Sequence, residues 1–458
     1  MPQKGPVYET TFKERVAYPM FGFGQNMVYG LVSGYLSLFY TDHLFIPALT
    51  VSAIFLVAKV WDAVNDPLFG LLVDRVQFKN GKFKPWLRIS TIAIPLTTLA
   101  LFGLSPGMPL PLRIVLAVVT YLLWDIAYTI SDVPGFSLLT AMTGNVQERS
   151  VLLSRGSVSG MLCGILLIVV LAPQIETIGF APVALIAAIL SFAGMLPLTL
   201  FAKERNRTQQ KEEDKPGLKD ILVYLRGNKY LAIFFAANIT SGVLNISMSL
   251  NNYIMIYFFG GLDFLARLTV IGIGPLILLY LFLPKLTARF DRMVMYRVSV
   301  IAALILNILI FFIGPGNLVV YGTLAIVKTI IATPQGMLAF TFTMDCVEYG
   351  HYKTGQRREG ITTSVQAFMN KFNSAVSASL ALFILSLTGY KGELAIQTPV
   401  TLNAMWTANY WVPIIGMLLS LPLLFRYTLK SRDVQIMADI NAGKTERAAG
   451  EAAMARTY

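Results

Sequence analysis

The sequence predicts an all-α integral membrane protein with about twelve transmembrane helices. Of its 458 residues, 55% are hydrophobic and 14% are charged, whereas a typical soluble domain carries about 25% charged residues. The mean hydropathy is +0.63. The apolar runs are long and continuous, which favours helices over a β-barrel, the other structure that satisfies the backbone in a bilayer.

Apolar stretches long enough to cross about 30 Å of hydrocarbon fall into two sets. The first set is predicted at 16–41, 49–76, 88–104, 111–142, 151–173 and 179–202. The second is predicted at 229–259, 263–287, 293–314, 318–350, 361–389 and 404–429. These sets define an N-terminal half (1–202), a polar middle loop (203–228), a C-terminal half (229–430) and a polar tail (431–458). Pseudo-symmetric six-helix halves are typical of repeat-built transporters.

Charge is unevenly distributed among the loops. The net charge of +12 could indicate nucleic acid binding, but Lys and Arg concentrate after the even-numbered helices. The intervening segments 105–111 and 173–182 contain neither residue. This asymmetry follows the positive-inside rule and predicts that both termini are cytoplasmic. We therefore expect the lipid bilayer, and no nucleic acid or obligate protein, as a partner.

A charged cluster interrupts the second predicted helix. Between positions 48 and 73 the only ionisable residues are Lys59, Asp62 and Asp66, and a central carboxylate costs roughly 2.5–3.5 kcal/mol on insertion scales. Asp62, Asn65 and Asp66 share one helix face. A bound cation would relieve the repulsion between the carboxylates. The alternative is a buried Lys59–Asp62 pair that holds neighbouring helices together.

The sequence offers little for enzymatic chemistry. Cys163 and Cys346 lie in apolar segments, and His43 and His351 are far apart, so neither pair predicts a disulfide framework or a metal cluster. A membrane-embedded enzyme acting on a lipid-linked sugar would need a catalytic constellation beside the acids, and none is evident. We expect no enzyme activity and no cofactor.

Several ordered motifs resemble one transporter family. They are Phe39-Tyr-Thr-Asp42, Trp61-Asp-Ala-Val-Asn-Asp-Pro67, Gly81-Lys-Phe-Lys-Pro-Trp86, Tyr128-Thr-Ile-Ser-Asp-Val-Pro134, Asp345-Cys-Val-Glu-Tyr-Gly350 and Ser364-Val-Gln366. Over roughly 15–430 the chain resembles the glycoside–pentoside–hexuronide:cation symporters of the major facilitator superfamily, the family of the melibiose permease. The resemblance implies uptake of a sugar, glycoside or hexuronide, coupled to cation influx by alternating access, in the bacterial inner membrane.

The resemblance also implies a coupling-cation site formed by Asp62, Asn65, Asp66 and Thr129. Na⁺ is a hard cation that takes several oxygen ligands, and two carboxylates, an amide and a hydroxyl supply them. A proton would need only a carboxylate. The set therefore favours Na⁺ or Li⁺, and H⁺ stays an alternative.

For the sugar, the resemblance implies contacts from six residues: Gln25, Asn26, Asp132, Phe136, Arg155 and Lys371. Gln25-Asn26 replaces the lysine–aspartate pair of the melibiose permease. A neutral first helix beside two cations suits an anionic sugar such as a uronide, while neutral glycosides stay open. A lysolipid-type carrier of the same fold is the alternative function, and it would need a less polar lining.

Charged residues at loop positions form a third predicted group. In the first half they are Asp74, Arg75, Lys82 and Arg149, and in the second half Arg357, Arg358 and Glu359. We expect them to form ion pairs that latch the outward-facing state at the cytoplasmic side.

Overall fold

The computed structural model describes residues 8–76, 78, 81–205, 227–355 and 358–455. Within its helices it leaves out the side chains at 60, 63–64, 66–68, 70–71, 74–75, 146, 284, 359–360 and 363–364. Five predicted site residues therefore lie outside the described part: Asp66, Asp74, Arg75, Arg357 and Glu359. The roles predicted for them stay predictions.

Seven helices form the N-terminal set. They are α1 (Phe12–Leu38), α2 (Ala48–Arg75), α3 (Lys84–Phe102), α4 (Leu110–Met142), α5 (Val146–Leu166), α6 (Ala172–Ile178) and α7 (Phe180–Phe201). A π-helical turn, Phe39–His43, extends α1, and another, Leu167–Leu171, joins α5 to α6. The predicted helix 151–173 thus corresponds to one longer helical stretch.

The second set continues to the tail. It comprises α8 (Lys229–Val243), α9 (Ser247–Phe259), α10 (Leu262–Arg289), α11 (Arg292–Ile313), α12 (Leu318–Thr354), α13 (Glu359–Leu387), α14 (Pro399–Arg426), α15 (Ser431–Asn441) and α16 (Arg447–Ala455). The predicted helix 229–259 is interrupted between α8 and α9. Gly242 is the next-to-last residue of α8, and Asn245 lies within the break. Both residue types are poor helix formers.

The membrane class predicted from the sequence is confirmed. Within the described residues, ten helical spans are long and apolar enough to cross a membrane. The first two predicted positions are occupied by α1 and α2, which are 27 and 28 residues long. Every predicted transmembrane helix therefore has an observed counterpart.

The chain divides into two compact units. The first contains the described residues of Met1–Lys211 together with Asn252–Thr269 and Leu385–Thr401. The second contains those of Glu212–Asn251, Val270–Ile384 and Leu402–Tyr458. Two segments from beyond the middle loop thus belong to the first unit.

Within the first unit, α1 packs directly on α7. A Cβ at Gly24 would lie 2.5 Å from the Ser191 carbonyl oxygen, and one at Gly194 would lie 2.8 Å from the Met20 carbonyl oxygen. Small residues allow this approach of backbones, a common arrangement in membrane helices. The contact fixes one side of the cavity described below.

The first unit is also tied together at Asp42. Tyr257 donates a hydrogen bond to Asp42 Oδ2 at 2.9 Å, and Thr41 donates to Oδ1 at 2.6 Å. Tyr390 donates a further bond to Oδ1, and Tyr253 contacts the Thr41 hydroxyl at 2.9 Å. Three stretches of chain that are distant in sequence therefore meet at one carboxylate.

Aromatic packing and the tail characterise the second unit. Phe234, Tyr296 and Phe342 contribute to one buried cluster, and Val434 and Met437 of α15 pack into it. Part of the polar tail is thus a structural element of this unit.

Candidate functional site

The predicted cation residues bring α2 and α4 together. Asn65 Nδ2 donates a hydrogen bond to Thr129 Oγ1 at 3.1 Å, and Thr129 is 3% exposed. One turn before Asn65, Lys59 Nζ lies 3.6 Å from Asp62 Oδ2. The ion pair weighed as an alternative therefore forms, but it lies within α2 and does not itself join two helices.

A further carboxylate on α4 belongs to this region. Asp125 is 8% exposed, and it precedes Thr129 by four residues and Asp132 by seven. This spacing puts the three side chains on one face of the helix. The sequence prediction did not include Asp125. An acid in the middle of an apolar helix is a functional candidate by default. The sequence alone could therefore have identified Asp125.

Four of the six predicted sugar residues line one cavity of the first unit. The cavity has a volume of about 390 Å³. Gln25 and Asn26 of α1 face Asp132 and Phe136 of α4. Gln25 Nε2 is buried, and the described residues offer it no hydrogen-bond acceptor. A buried amide donor left open in this way is suited to bonding a ligand oxygen.

Small residues of α5 form the third wall of this cavity, which we call the carboxylate cavity. Gly156 and Gly160 line it, and a Cβ at Gly160 would lie 3.3 Å from Asn26 Nδ2. Asn26 Nδ2 also donates to the Gly22 carbonyl at 2.7 Å. The second N–H and the side-chain oxygen of Asn26 are therefore the parts of this amide that a ligand hydroxyl could address.

The other two predicted sugar residues lie elsewhere. Arg155 is exposed on α5, and its neighbours Leu153 and Gly156 line the cavity while Arg155 does not. Lys371 is exposed on α13, in the second unit. Among the described residues that line the carboxylate cavity, Asp132 is thus the one with a charged side chain.

Of the loop charges predicted in the first half, Lys82 and Arg149 lie in the described part of the chain, and the bonds below involve backbone groups of the loops. The backbone N–H groups of Lys82 and Lys84 donate to the Glu204 carboxylate at 2.7 and 2.8 Å. Arg149 donates to the Gly144 carbonyl at 3.0 Å. Glu204 accordingly caps the start of α3, a role favoured by the helix dipole.

An ion pair that the sequence prediction missed lies nearby. Arg205 donates to both carboxylate oxygens of Glu14, at 2.8 and 2.7 Å, and Glu14 completes a capping box with Thr11. The hydrogen bond with Glu14 raises the pKa of Arg205. The start of the polar middle loop therefore anchors α1.

An ion pair of the second unit joins α11 to α12: Arg292 Nη2 lies 3.1 Å from Asp345 Oδ2. Of the predicted second-half charges, Arg358 is described: its carbonyl accepts a bond from the Thr362 hydroxyl at 3.0 Å.

The comparisons with known proteins agree with this architecture. The family model described as MFS/sugar transport protein matches residues 17–431. The isoprimeverose transporter of Lactiplantibacillus pentosus is 29% identical, covering 94% of this chain and 91% of the relative. The glucuronide carrier protein homolog of Escherichia coli (strain K12) is 24% identical, covering 95% and 97%. The crystal structure of the D-xylose-proton symporter has a TM-score of 0.60 at 12% identity, covering 92% of this chain and 98% of that one.

The fold and the family match define a multi-pass transporter of the major facilitator superfamily, not an enzyme. Within that superfamily, the chain belongs to the MFS/sugar transport protein family and to its glycoside–pentoside–hexuronide:cation symporters.

Proposed function

We propose that the protein is a symporter that couples Na⁺ influx to the uptake of a sugar or glycoside. The observation that carries the proposal is the Asn65–Thr129 hydrogen bond across α2 and α4. It brings an amide oxygen and a hydroxyl to the face where Asp62 lies one turn away, and these are the hard oxygen ligands that Na⁺ takes. Less than one turn of α4 separates Thr129 from Asp132, which lines the carboxylate cavity.

Coupling follows from the register of α4. Thr129 and Asp132 are three residues apart, so a cation that fixes Thr129 restricts the same helical turn that presents Asp132 to the cavity. Such a cation would change the sugar affinity through α4, and by reciprocity the sugar would change the cation affinity equally.

The lining of the carboxylate cavity favours a neutral sugar over a sugar acid. Gln25 and Asn26 can pair with hydroxyls as donors and acceptors, whereas Asp132 would repel a uronate carboxylate. The relatives named for isoprimeverose and glucuronide support a carbohydrate of either kind. The described residues that line this cavity include neither Arg155 nor Lys371 to pair with a uronate, and the polar lining disfavours a lysolipid.

The proposed setting is the bacterial inner membrane, with both termini in the cytoplasm and transport by alternating access. The support is the alternation of basic and uncharged loops.

Uptake into proteoliposomes tests the proposal. The full chain is reconstituted, and the initial uptake of labelled methyl β-D-glucopyranoside and of labelled D-glucuronate is measured under an inward gradient of Na⁺, of H⁺, or of choline. We expect the Na⁺ gradient alone to stimulate uptake, and the neutral glycoside to be preferred. Stimulation by H⁺ without Na⁺ would contradict the choice of ion. Absence of carbohydrate uptake under every gradient would contradict the function.

A further inference from the structure

The second unit contains a polar cavity of its own, with a volume of about 370 Å³. Helices α8, α11, α12, α13 and α14 enclose it. Its lining carries six side-chain amides: Asn238, Asn245, Gln335, Gln366, Asn370 and Asn373. The described residues that line it include no charged side chain. We call it the amide cavity. Its size falls in the range of roughly 300–1,000 Å³ that is typical of small-molecule sites.

Several of these amides are held in fixed orientations. Gln366 accepts a hydrogen bond from Thr343 and donates one to Asn370 Oδ1 at 3.1 Å. Gln335 Nε2 donates to Ser299 Oγ at 3.1 Å. These partners fix which atom of each amide is the donor and which is the acceptor. They therefore also fix which N–H and C=O groups stay available to a ligand.

Asn373 is the amide with an open buried group. Its Nδ2 donates to the Asn238 carbonyl at 3.1 Å, which orients the side chain, and its Oδ1 is buried with no hydrogen-bond donor among the described residues. An unsatisfied buried carbonyl oxygen of this kind is rare in folded proteins. A ligand hydroxyl would satisfy it.

Gly242 makes room for this arrangement. A Cβ at that position would lie 2.6 Å from Asn373 Cγ, so a larger residue would displace the amide from α8. Glycine at the end of α8 is therefore required for the position of Asn373, and it costs that helix some stability.

The chemistry of the lining selects the ligand class. Amides present both donors and acceptors, and so does each sugar hydroxyl. A carboxylate would lose its hydration here without gaining a cation, which is unfavourable. Phe340, which also lines the cavity, offers an aromatic face to the C–H side of a ring.

We propose that the amide cavity is a second carbohydrate site, which takes one neutral pyranose unit and excludes sugar acids. The inference rests on the proposed function, because it assumes that the protein handles carbohydrate. It adds a site in the second unit, independent of Asp132, with its own selectivity.

Binding stoichiometry tests it. Equilibrium dialysis of the purified full chain with labelled methyl β-D-glucopyranoside should give two molecules per chain, and with D-glucuronate no more than one. Asn373→Leu should weaken one of the two glucoside sites by about tenfold, the effect of one lost hydrogen bond. Asn403→Leu, an exposed asparagine of α14 outside the cavity, should leave both sites intact.

Gly242→Ala provides a second variant, which should weaken the same site while keeping every amide. One glucoside per wild-type chain would overturn the inference. Two glucosides bound equally well by wild type, Asn373→Leu and Gly242→Ala would overturn it too. Sodium-driven uptake with a single bound glucoside would refute this inference alone, whereas a lack of both binding and uptake would refute the proposed function with it.

Discussion

The carboxylate cavity of the first unit and the amide cavity of the second are of similar volume but of opposite character. The first has Asp132 beside two amides, and the second has six amides and, among its described lining, no charge. Asp132 is half-buried, and under the proposed function it connects the first cavity to the cation region on the same helix. Amides can satisfy one another, so the second cavity needs no ion to be stable.

This difference indicates a division of labour. Coupling to an ion requires a charge whose pairing changes, and the described candidates lie in the first unit, on α2 and α4. Recognition of hydroxyls requires only neutral donors and acceptors, which both units supply. The following predictions separate the two roles, beginning with the largest expected effect.

Replacing Asp62 with Asn should abolish Na⁺ stimulation of glycoside uptake. Two unit charges 4 Å apart attract by about 4 kcal/mol at an effective dielectric near 20, so the apparent Na⁺ affinity should fall by a hundredfold or more. Initial uptake as a function of Na⁺ concentration measures it. Asp439→Asn, in the tail, serves as the control.

The Lys59–Asp62 pair provides the competing explanation for that result. If Asp62 serves only to neutralise Lys59, the double variant Lys59→Met/Asp62→Asn should recover Na⁺-stimulated uptake, because no unpaired charge remains. We expect no recovery, and recovery would remove Asp62 from the cation site.

Replacing Asp132 with Asn should lower the affinity of the carboxylate cavity for a neutral glycoside by about tenfold, because hydrogen bonds to a charged group are stronger than neutral ones. The affinity for D-glucuronate should rise, since a repulsive charge is removed. Competition binding with both probes measures the ratio. Equal changes for both probes would mean that Asp132 does not contact the sugar. Asp263→Asn, exposed on α10, is the matched control.

The ion pairs of the two units should differ in their effect on stability. Glu14 is fully buried and bonded through both oxygens to Arg205, so Glu14→Gln should lower the free energy of unfolding by about 2–3 kcal/mol. Asp345→Asn should cost less, since the structure gives Arg292 one close oxygen. Thermal unfolding in detergent compares them, and a larger loss for Asp345→Asn would reverse the order.

The smallest effect is expected in the tail of the second unit. Tyr352 and Arg447 donate to Glu451 at 2.7 and 3.0 Å, and these bonds lower the pKa of Glu451. The carboxylate therefore stabilises the fold above its unfolded pKa and loses this effect as the pH falls. The group is exposed, so Glu451→Gln should shift the unfolding midpoint by no more than about 1 °C at pH 7, and the difference should vanish in acid.

The sequence was sufficient for the helices and for part of the site. Hydrophobic length gave the transmembrane helices to within several residues, because the bilayer allows few alternatives. The structure brings Gln25, Asn26, Asp132 and Phe136, four of the six predicted sugar residues, to one cavity, and their contact with a sugar stays a prediction. The cation role of Asn65 and Thr129 stays a prediction, although the two side chains meet.

Three features were beyond the sequence, each for a physical reason. Arg155 and Lys371 have long side chains, whose direction depends on packing that spacing does not reveal. The amide cavity was missed because an asparagine in an apolar helix often bonds to its own backbone, as Asn307 Nδ2 does with the Ala303 carbonyl. The contacts of Glu204 and Arg205 were missed because a run of charged residues has the same sequence pattern whether its side chains are solvated or bonded to the protein.

The contacts at Asp42 have a consequence for biosynthesis. Tyr257 and Tyr390, which bond its carboxylate, leave the ribosome long after α1 and the rest of the N-terminal half. Until residue 390 has been made, the nascent chain holds a carboxylate that lacks at least one of its two tyrosine partners. The first unit is thus completed late, and a fragment that ends in the middle loop would carry Asp42 without two of its hydrogen-bond donors.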